Sequence, residues 1–350
     1  MSRKEKRLAR NFVFSVIGAT AIAVLPLDTT QRNDSVAQAE SSKTLELLNV
    51  SYDPTRELWQ GVNKEFAPQY AKETGTTLSI RQSHGGSGSQ ARAVIDGLDA
   101  DVVTLAMWPD TDAIRKAGLI DEGWDKRLPN NSVPYTSTVV FVVRKGNPKG
   151  IKDWPDIVKP GVEIITPNPK TSGNGKFSLL AAWGSVVTRG GSEKDAEEFV
   201  TKLYKQTPVL DQGARGSTTT FVQKQIGDVQ LTWENEARLE VKEAGNTLEI
   251  VYPPVSVLAE PPVAWVDANV NRKGTRAAAE AYLKFLYTDA GQELIAQNFY
   301  RPINQAVFKR HGDIFPSIKL FPVTATAKDW SDAYAKFFSD GGLFDRVYAH

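Results

Sequence analysis

Short β-rich runs that end in a Gly- or Ser-rich turn and then open a helix recur along this 350-residue chain, and their alternation limits the fold more than any other feature. The strand-like runs are LELLNVSY (45–52), TTLSIRQS (76–83), ADVVTLA (100–106), STVVFVVRKG (137–146), VEIITP (162–167), VQLTW (229–233) and PPVAWVD (261–267). Between them apolar residues return at helical spacing, as at Leu58, Val62, Phe66 and Tyr70, or at Ala196, Phe199 and Leu203. This alternation predicts an α/β fold with largely parallel sheets.

The N-terminus reads as an export signal. Arg3, Lys4, Lys6, Arg7 and Arg10 precede an apolar run from Phe12 to Leu27, and the small residues Ala37 and Ala39 then stand at the spacing of a signal-peptidase site, predicting a signal peptide over 1–39. The apolar run falls short of the roughly 20 residues that a spanning helix needs. Removing 1–39 takes away six basic and three acidic side chains, which leaves a formal charge of about −2 against +1 for the whole chain. Such a near-neutral chain has no basic stripe for nucleic acid, so any anion must be held locally. With no cysteine, disulfides, thiolate metal ligands and a thiol nucleophile are excluded. A soluble, periplasmic monomer is expected.

About 310 mature residues exceed what one core comfortably holds, so two lobes are expected. The Pro-rich segments DKRLPNNSVPYTS (125–137) and YPPVSVLAEPP (252–262) suit chain crossings between them. On that basis 45–130 and 258–306 form lobe 1, 131–257 form lobe 2, and 307–350 form a C-terminal wrap, irregular at first and then a short helix.

Four strand ends share one pattern. Asp53 precedes Pro54 as a natural N-cap, and Gly85, Gly86 and Gly88 surround Ser87. Ser172 and Gly173 open a third helix, and Ala214 lies between Gly213 and Gly216 before a fourth. The first N–H groups of a helix lack internal partners and carry the positive end of the peptide dipoles, so an oxyanion completes them. Any one such turn is an ordinary helix cap. Four together, at strand ends of an open α/β fold, predict a shared anion site.

Other chemistry competes for these turns. NPKTSGNGKF (168–177) has the look of a phosphate loop, but Lys170 takes the place of its first Gly and Phe177 that of its Ser or Thr. GSGSQA (86–91) formally fits the dinucleotide pattern G-x-G-x-x-G/A and keeps open an α/β enzyme holding a phosphate-bearing cofactor. His84, His311 and His350 are too scattered for a metal centre, and GGSGS lacks the spacing of a G-x-S-x-G elbow. No catalytic residue, metal or cofactor is therefore expected. Trp233 ends a strand where a helix is about to start, and its indole can either pack or donate to a ligand.

With these residues placed, the chain resembles the periplasmic sulfate-binding proteins of ABC importers, from about Leu47 to the C-terminus. The likeness is carried by LLNVSYDPTREL, IRQSHGGSG, ADVVTLA, RLPNNSVPYTST, VRKGNPK, ITPNPKTSG, LAAWG, GARGSTTTF, WENEA and YRPIN. It implies a two-lobed, type II solute-binding protein that is not an enzyme. Such a receptor closes on one dehydrated sulfate in the interlobe cleft with high affinity, touches it with no Lys or Arg, and delivers it to the importer's membrane permease. Carried onto this sequence, the backbone donors are Asp53, Ser87, Gly173, Asn174 and Ala214, and the side-chain donors are the Ser172 hydroxyl and the Trp233 indole. The Asp53 carboxylate is expected to cap its helix, and Lys176 to be a charge at the rim of the site or behind it. Asn174 stands where the sulfate branch usually has a second Gly and resembles the thiosulfate branch there. HGGSG, GARG and the WENEA Trp favour sulfate, with thiosulfate the near alternative. A donor-only pocket disfavours monohydrogen phosphate, whose proton would face other hydrogens.

Overall fold

The computed structural model describes residues 44–348, so the expected signal peptide (1–39) and His350 lie outside it. Its strands, in chain order, are β1 (Thr44–Tyr52), β2 (Thr77–Gly85), β3 (Val102–Thr104), β4 (Tyr135–Thr136), β5 (Val139–Arg144) and β6 (Ile164–Ile165). They continue with β7 (Val229–Trp233), β8 (Leu248–Val251), β9 (Val255–Val257), β10 (Val263–Trp265), β11 (Arg301–Pro302) and β12 (Lys319–Phe321). One sheet, in the order β10-β3-β1-β2, centres the first lobe, and another, β6-β7-β5-β8, centres the second. Each of the seven strand-like runs contributes one strand.

The expectation of largely parallel sheets is only partly met. β1 runs parallel to β2 and β3, and β6 to β7, but β5 is antiparallel to β7 and β8, and β10 to β3. The reversed strands are the ones by which the chain enters a lobe. Val139 at the start of β5 faces Trp233 at the end of β7, and Val263 at the start of β10 faces Thr104 at the end of β3. A strand arriving from the other lobe begins at the cleft, where its neighbour finishes, and has to run backwards.

The two Pro-rich segments run side by side between the sheets. Ser137 and Ala259 exchange N–H···O bonds of 2.9 Å, β4 pairs with β11, and the Tyr135 and Tyr300 rings pack 4.6 Å apart. Helix Arg56–Thr74 buries Leu58, Val62, Phe66 and Tyr70 as the spacing predicts, together with Trp59, and ends on Gly75 with φ 69°. Helix Gly173–Val187 is buried along its whole length from Gly173 to Ser185, which fixes its N-terminus firmly. The second-lobe core runs on into Tyr52, Ala106 and Met107 of the first lobe, so the lobes are closed on each other.

The C-terminal segment is more regular than the irregular wrap expected. It holds helix Gln305–Arg310, strand β12 on β9, and helices Trp330–Phe337 and Leu343–Tyr348. Aromatic side chains dock it on the second lobe, with Phe337 packed 5.1 Å from Trp183 and Phe344 5.1 Å from Tyr204. No helix among the described residues is long and apolar enough to cross a membrane.

Candidate functional site

All four turns predicted to face an anion meet at one small cavity between the lobes. The first lobe lines it with Tyr52, Asp53, Pro54, Gly85, Gly86 and Ser87, and the second with Ser172, Gly173, Asn174, Ala214 and Trp233. Every residue predicted as a ligand donor is among them. The cavity volume is about 10 Å³. Pockets for drug-sized ligands run to roughly 300–1,000 Å³, so the scale is that of a few atoms and a nucleotide does not fit.

The hydrogen bonds already made differ from residue to residue and limit what each can offer. Among the described residues, no acceptor receives the backbone N–H of Asp53, Ser87, Gly173, Asn174 or Ala214. Ser172 is the N-cap of its helix and its oxygen accepts from the Gly175 N–H at 3.4 Å, which leaves its own proton free to turn into the cavity. The Ser87 hydroxyl is differently committed, because it donates to Asp110 Oδ2 at 2.6 Å and accepts from the Ala106 N–H at 3.0 Å. Only its backbone N–H therefore remains for a ligand. Trp233 is fully buried, packed 5.7 Å from Tyr52 and 5.2 Å from Phe177, and its Nε1 has no partner.

Asp53 does not cap its helix. The chain enters through a 3-10 turn, Asp53–Thr55, whose threefold winding sets Asp53 above Arg56, and Oδ1 accepts from the guanidinium at 2.8 Å instead. Asn174 needs no unusual backbone angle, since it sits in the first turn of an ordinary helix. Its amide turns along that helix and donates to Ser178 Oγ at 3.2 Å.

No cation lines the cavity, and those nearby are engaged elsewhere. Lys176 is not at the rim; it is 3% exposed and pairs with Asp110 of the first lobe at 2.5 Å, behind Ser87. Arg215, next to Ala214, bridges Glu57 of the first lobe (2.7 Å) and Glu236 of the second (2.8 Å). Burial pushes the Glu236 carboxyl up to about 8 despite that guanidinium. Burial, with Arg56 beside it, lowers the His84 imidazole to about 4, so it is neutral at ordinary pH. The Tyr52 phenol is raised well above its usual value, chiefly by burial, and stays protonated.

The glycines of GSGSQA serve the lobe interface. A Cβ on Gly86 would lie 2.4 Å from Thr171 O and 2.9 Å from Gln212 O, and one on Gly88 3.3 Å from Lys176 Nζ. Second-lobe backbone therefore occupies the space that a dinucleotide would need at this turn. Reading the sequence missed Asp110, which lies in the first turn of helix Trp108–Lys116 with no local sign of its link to Ser87. It also passed over Tyr52 and Pro54 as lining residues, because adjacency to Asp53 is their only signal.

Two α/β lobes closed around a small, donor-lined, cation-free cavity define a solute-binding protein. Comparison with known proteins agrees. Residues 60–301 match the family described as bacterial extracellular solute-binding protein. The chain is 54% identical over 308 residues to the sulfate-binding protein of Salmonella typhimurium, covering 87% of this chain and 94% of that one. It is 52% identical over 305 residues to a thiosulfate-binding protein of Pseudomonas aeruginosa, covering 87% and 92%. Among solved structures, the sulfate-binding protein SubI of Mycobacterium tuberculosis superposes with a TM-score of 0.76 at 34% identity, over 84% of this chain and 99% of that one. The chain belongs to the bacterial extracellular solute-binding protein family.

Proposed function

We propose that this protein is a periplasmic receptor for sulfate that hands its ligand to the membrane permease of an ABC importer and catalyses no reaction. The observation that carries the reading is the Trp233 indole N–H, buried without an acceptor in the same cavity as five unpaired backbone N–H groups and the Ser172 hydroxyl. A buried donor left unsatisfied costs about 1–3 kcal/mol, and a fully deprotonated tetrahedral oxyanion accepts from all of them at once. Preorganised dipoles at helix starts disperse the dianion's charge without a neighbouring cation. Likeness to sulfate-binding relatives supports the same ligand. In this reading Asp53, Ser87, Gly173, Asn174 and Ala214 donate through the main chain, Ser172 and Trp233 through side chains, and the lobes divide at 45–130 with 258–306 against 131–257. The receptor acts as a monomer after its leader is removed.

Thiosulfate is the second reading, favoured by Asn174 and by the likeness to a thiosulfate-binding relative. It keeps the same donors and differs in the atom that one of them meets.

Calorimetric titration of the mature protein tests both. None of the donors, whether amide, hydroxyl or indole, titrates between about pH 6 and 8, so any slope in sulfate affinity there belongs to the Glu236 carboxyl paired with Arg215 and not to the donors. Phosphate binding that rivals sulfate would mean that an acceptor faces the ligand. Trp233→Phe is expected to weaken sulfate by about 1–3 kcal/mol with the fold intact. An unchanged affinity would make the indole a packing group and remove the observation on which the reading stands.

A further inference from the structure

The turn that carries three of the second-lobe donors is gripped from outside the cavity. Lys170 Nζ donates to the carbonyls of Phe338 and Ser339 at 3.0 Å each and to Asp345 Oδ2 at 2.8 Å. Three acceptors use all three ammonium protons. The Asp345 carboxyl is held below its usual range, first by that hydrogen bond. Phe338 is the C-cap of helix Trp330–Phe337, where the dipole and the unpaired carbonyls favour a cation. That helix is docked on the helix opened by the donor turn, with Trp330 edge-on to Phe177 at 5.9 Å and Phe337 packed on Trp183. The turn is also tied inward, since the Thr171 hydroxyl donates to Gln212 O at 2.8 Å, next to the Ala214 turn.

An exposed Lys–carboxylate pair would add little. This one differs, because two of its three acceptors are main-chain carbonyls fixed by a packed helix and the Lys170 side chain is 27% exposed. The same helix carries Tyr334, whose ring stands 5.6 Å from Lys176 Nζ, the atom that pairs with Asp110. The two lysines that flank Ser172, Gly173 and Asn174 are thus both in contact with the C-terminal segment.

We propose that the C-terminal segment 319–348 is a working part of the anion site, with Lys170 the positioning residue through which it fixes the Ser172–Asn174 donor turn. Release of the anion is then governed partly by contacts that never touch it. The inference rests on the anion-receptor reading above.

Two readouts on the mature full-length chain test it: sulfate release followed by tryptophan fluorescence in stopped flow, and amide exchange of residues 171–175 without sulfate. Lys170→Met is expected to release sulfate about tenfold faster, the loss appropriate to one charged hydrogen-bond cluster, and to exchange faster at the turn even when ligand-free. Asp345→Asn should show a smaller change in the same direction, and Lys170→Arg should recover most of the wild-type behaviour, because its guanidinium can reach the same carbonyls. Wild-type exchange at the turn in both Lys170→Met and Asp345→Asn would overturn the inference, whatever the release rate. Faster exchange in a protein that takes up neither sulfate nor thiosulfate would uphold the positioning role and overturn the receptor reading instead.

Discussion

Gly86→Ala is expected to abolish tight sulfate binding while leaving the ligand-free protein folded and as stable as wild type. Gly86 has φ −59° and ψ 135°, a backbone conformation any residue adopts, so alanine costs nothing within its own lobe. The close atoms belong to the other lobe: Thr171 O at 2.4 Å and Gln212 O at 2.9 Å from the added carbon. Both are main-chain atoms, and neither can swing aside as a side chain could. Relieving the clash means holding the lobes apart. Thr171 and Gln212 each lie just before a donor turn, at Ser172 and Ala214, so the retreat withdraws hydrogen bonds whose strength falls steeply with distance. Overpacking typically costs 1–3 kcal/mol, and here the lost donors add to it, so affinity should drop on the order of a hundredfold or more. Calorimetry gives the affinity and thermal melting without ligand gives the fold. Gly312→Ala, with nothing within 4 Å of its added carbon, is the matched control. Wild-type affinity in Gly86→Ala would mean that the anion is bound without this degree of closure.

Much of the site is legible in the sequence, because helix starts write themselves locally. Ser172, Gly173 and the Gly85–Ser87 turn advertise unpaired N–H groups through residue types that cap helices or permit close approach, and the structure gathers each of them at the cavity. Roles that depend on partners distant in sequence do not show there. Asp53 looks like a cap until the 3-10 turn sets it over Arg56, and Lys176 reads as a charge at the rim or behind the site until Asp110 meets it from another lobe and settles the second. The glycines of GSGSQA also fit a dinucleotide turn formally, and the opposing backbone removes that fit. Strand direction is lost for a similar reason. β5 and β10 have unremarkable β-rich sequences, and only the crossing of the chain between lobes reverses them.

Asp110→Asn should carry the other large effect, and its signature separates closure from folding. Lys176 and Asp110 are 3% and 5% exposed and come from different lobes, so their 2.5 Å contact exists only when the lobes are together. Breaking a buried pair by removing one charge typically costs about 3–5 kcal/mol, mostly through the uncompensated partner. Asparagine keeps the shape and can still accept the Ser87 hydroxyl, but it leaves the ammonium buried without a counter-charge. In an open, ligand-free molecule both positions meet water and little is lost. The cost therefore falls on binding, as an expected weakening of sulfate by about 3 kcal/mol with an almost unchanged ligand-free melting temperature. Adding Lys176→Met to Asp110→Asn should recover much of the affinity, since exchanging a buried ion pair for apolar packing is often close to neutral. If the double variant binds no better than Asp110→Asn alone, the loss comes from a displaced Ser87 rather than from a stranded charge, and the pair serves to orient that donor.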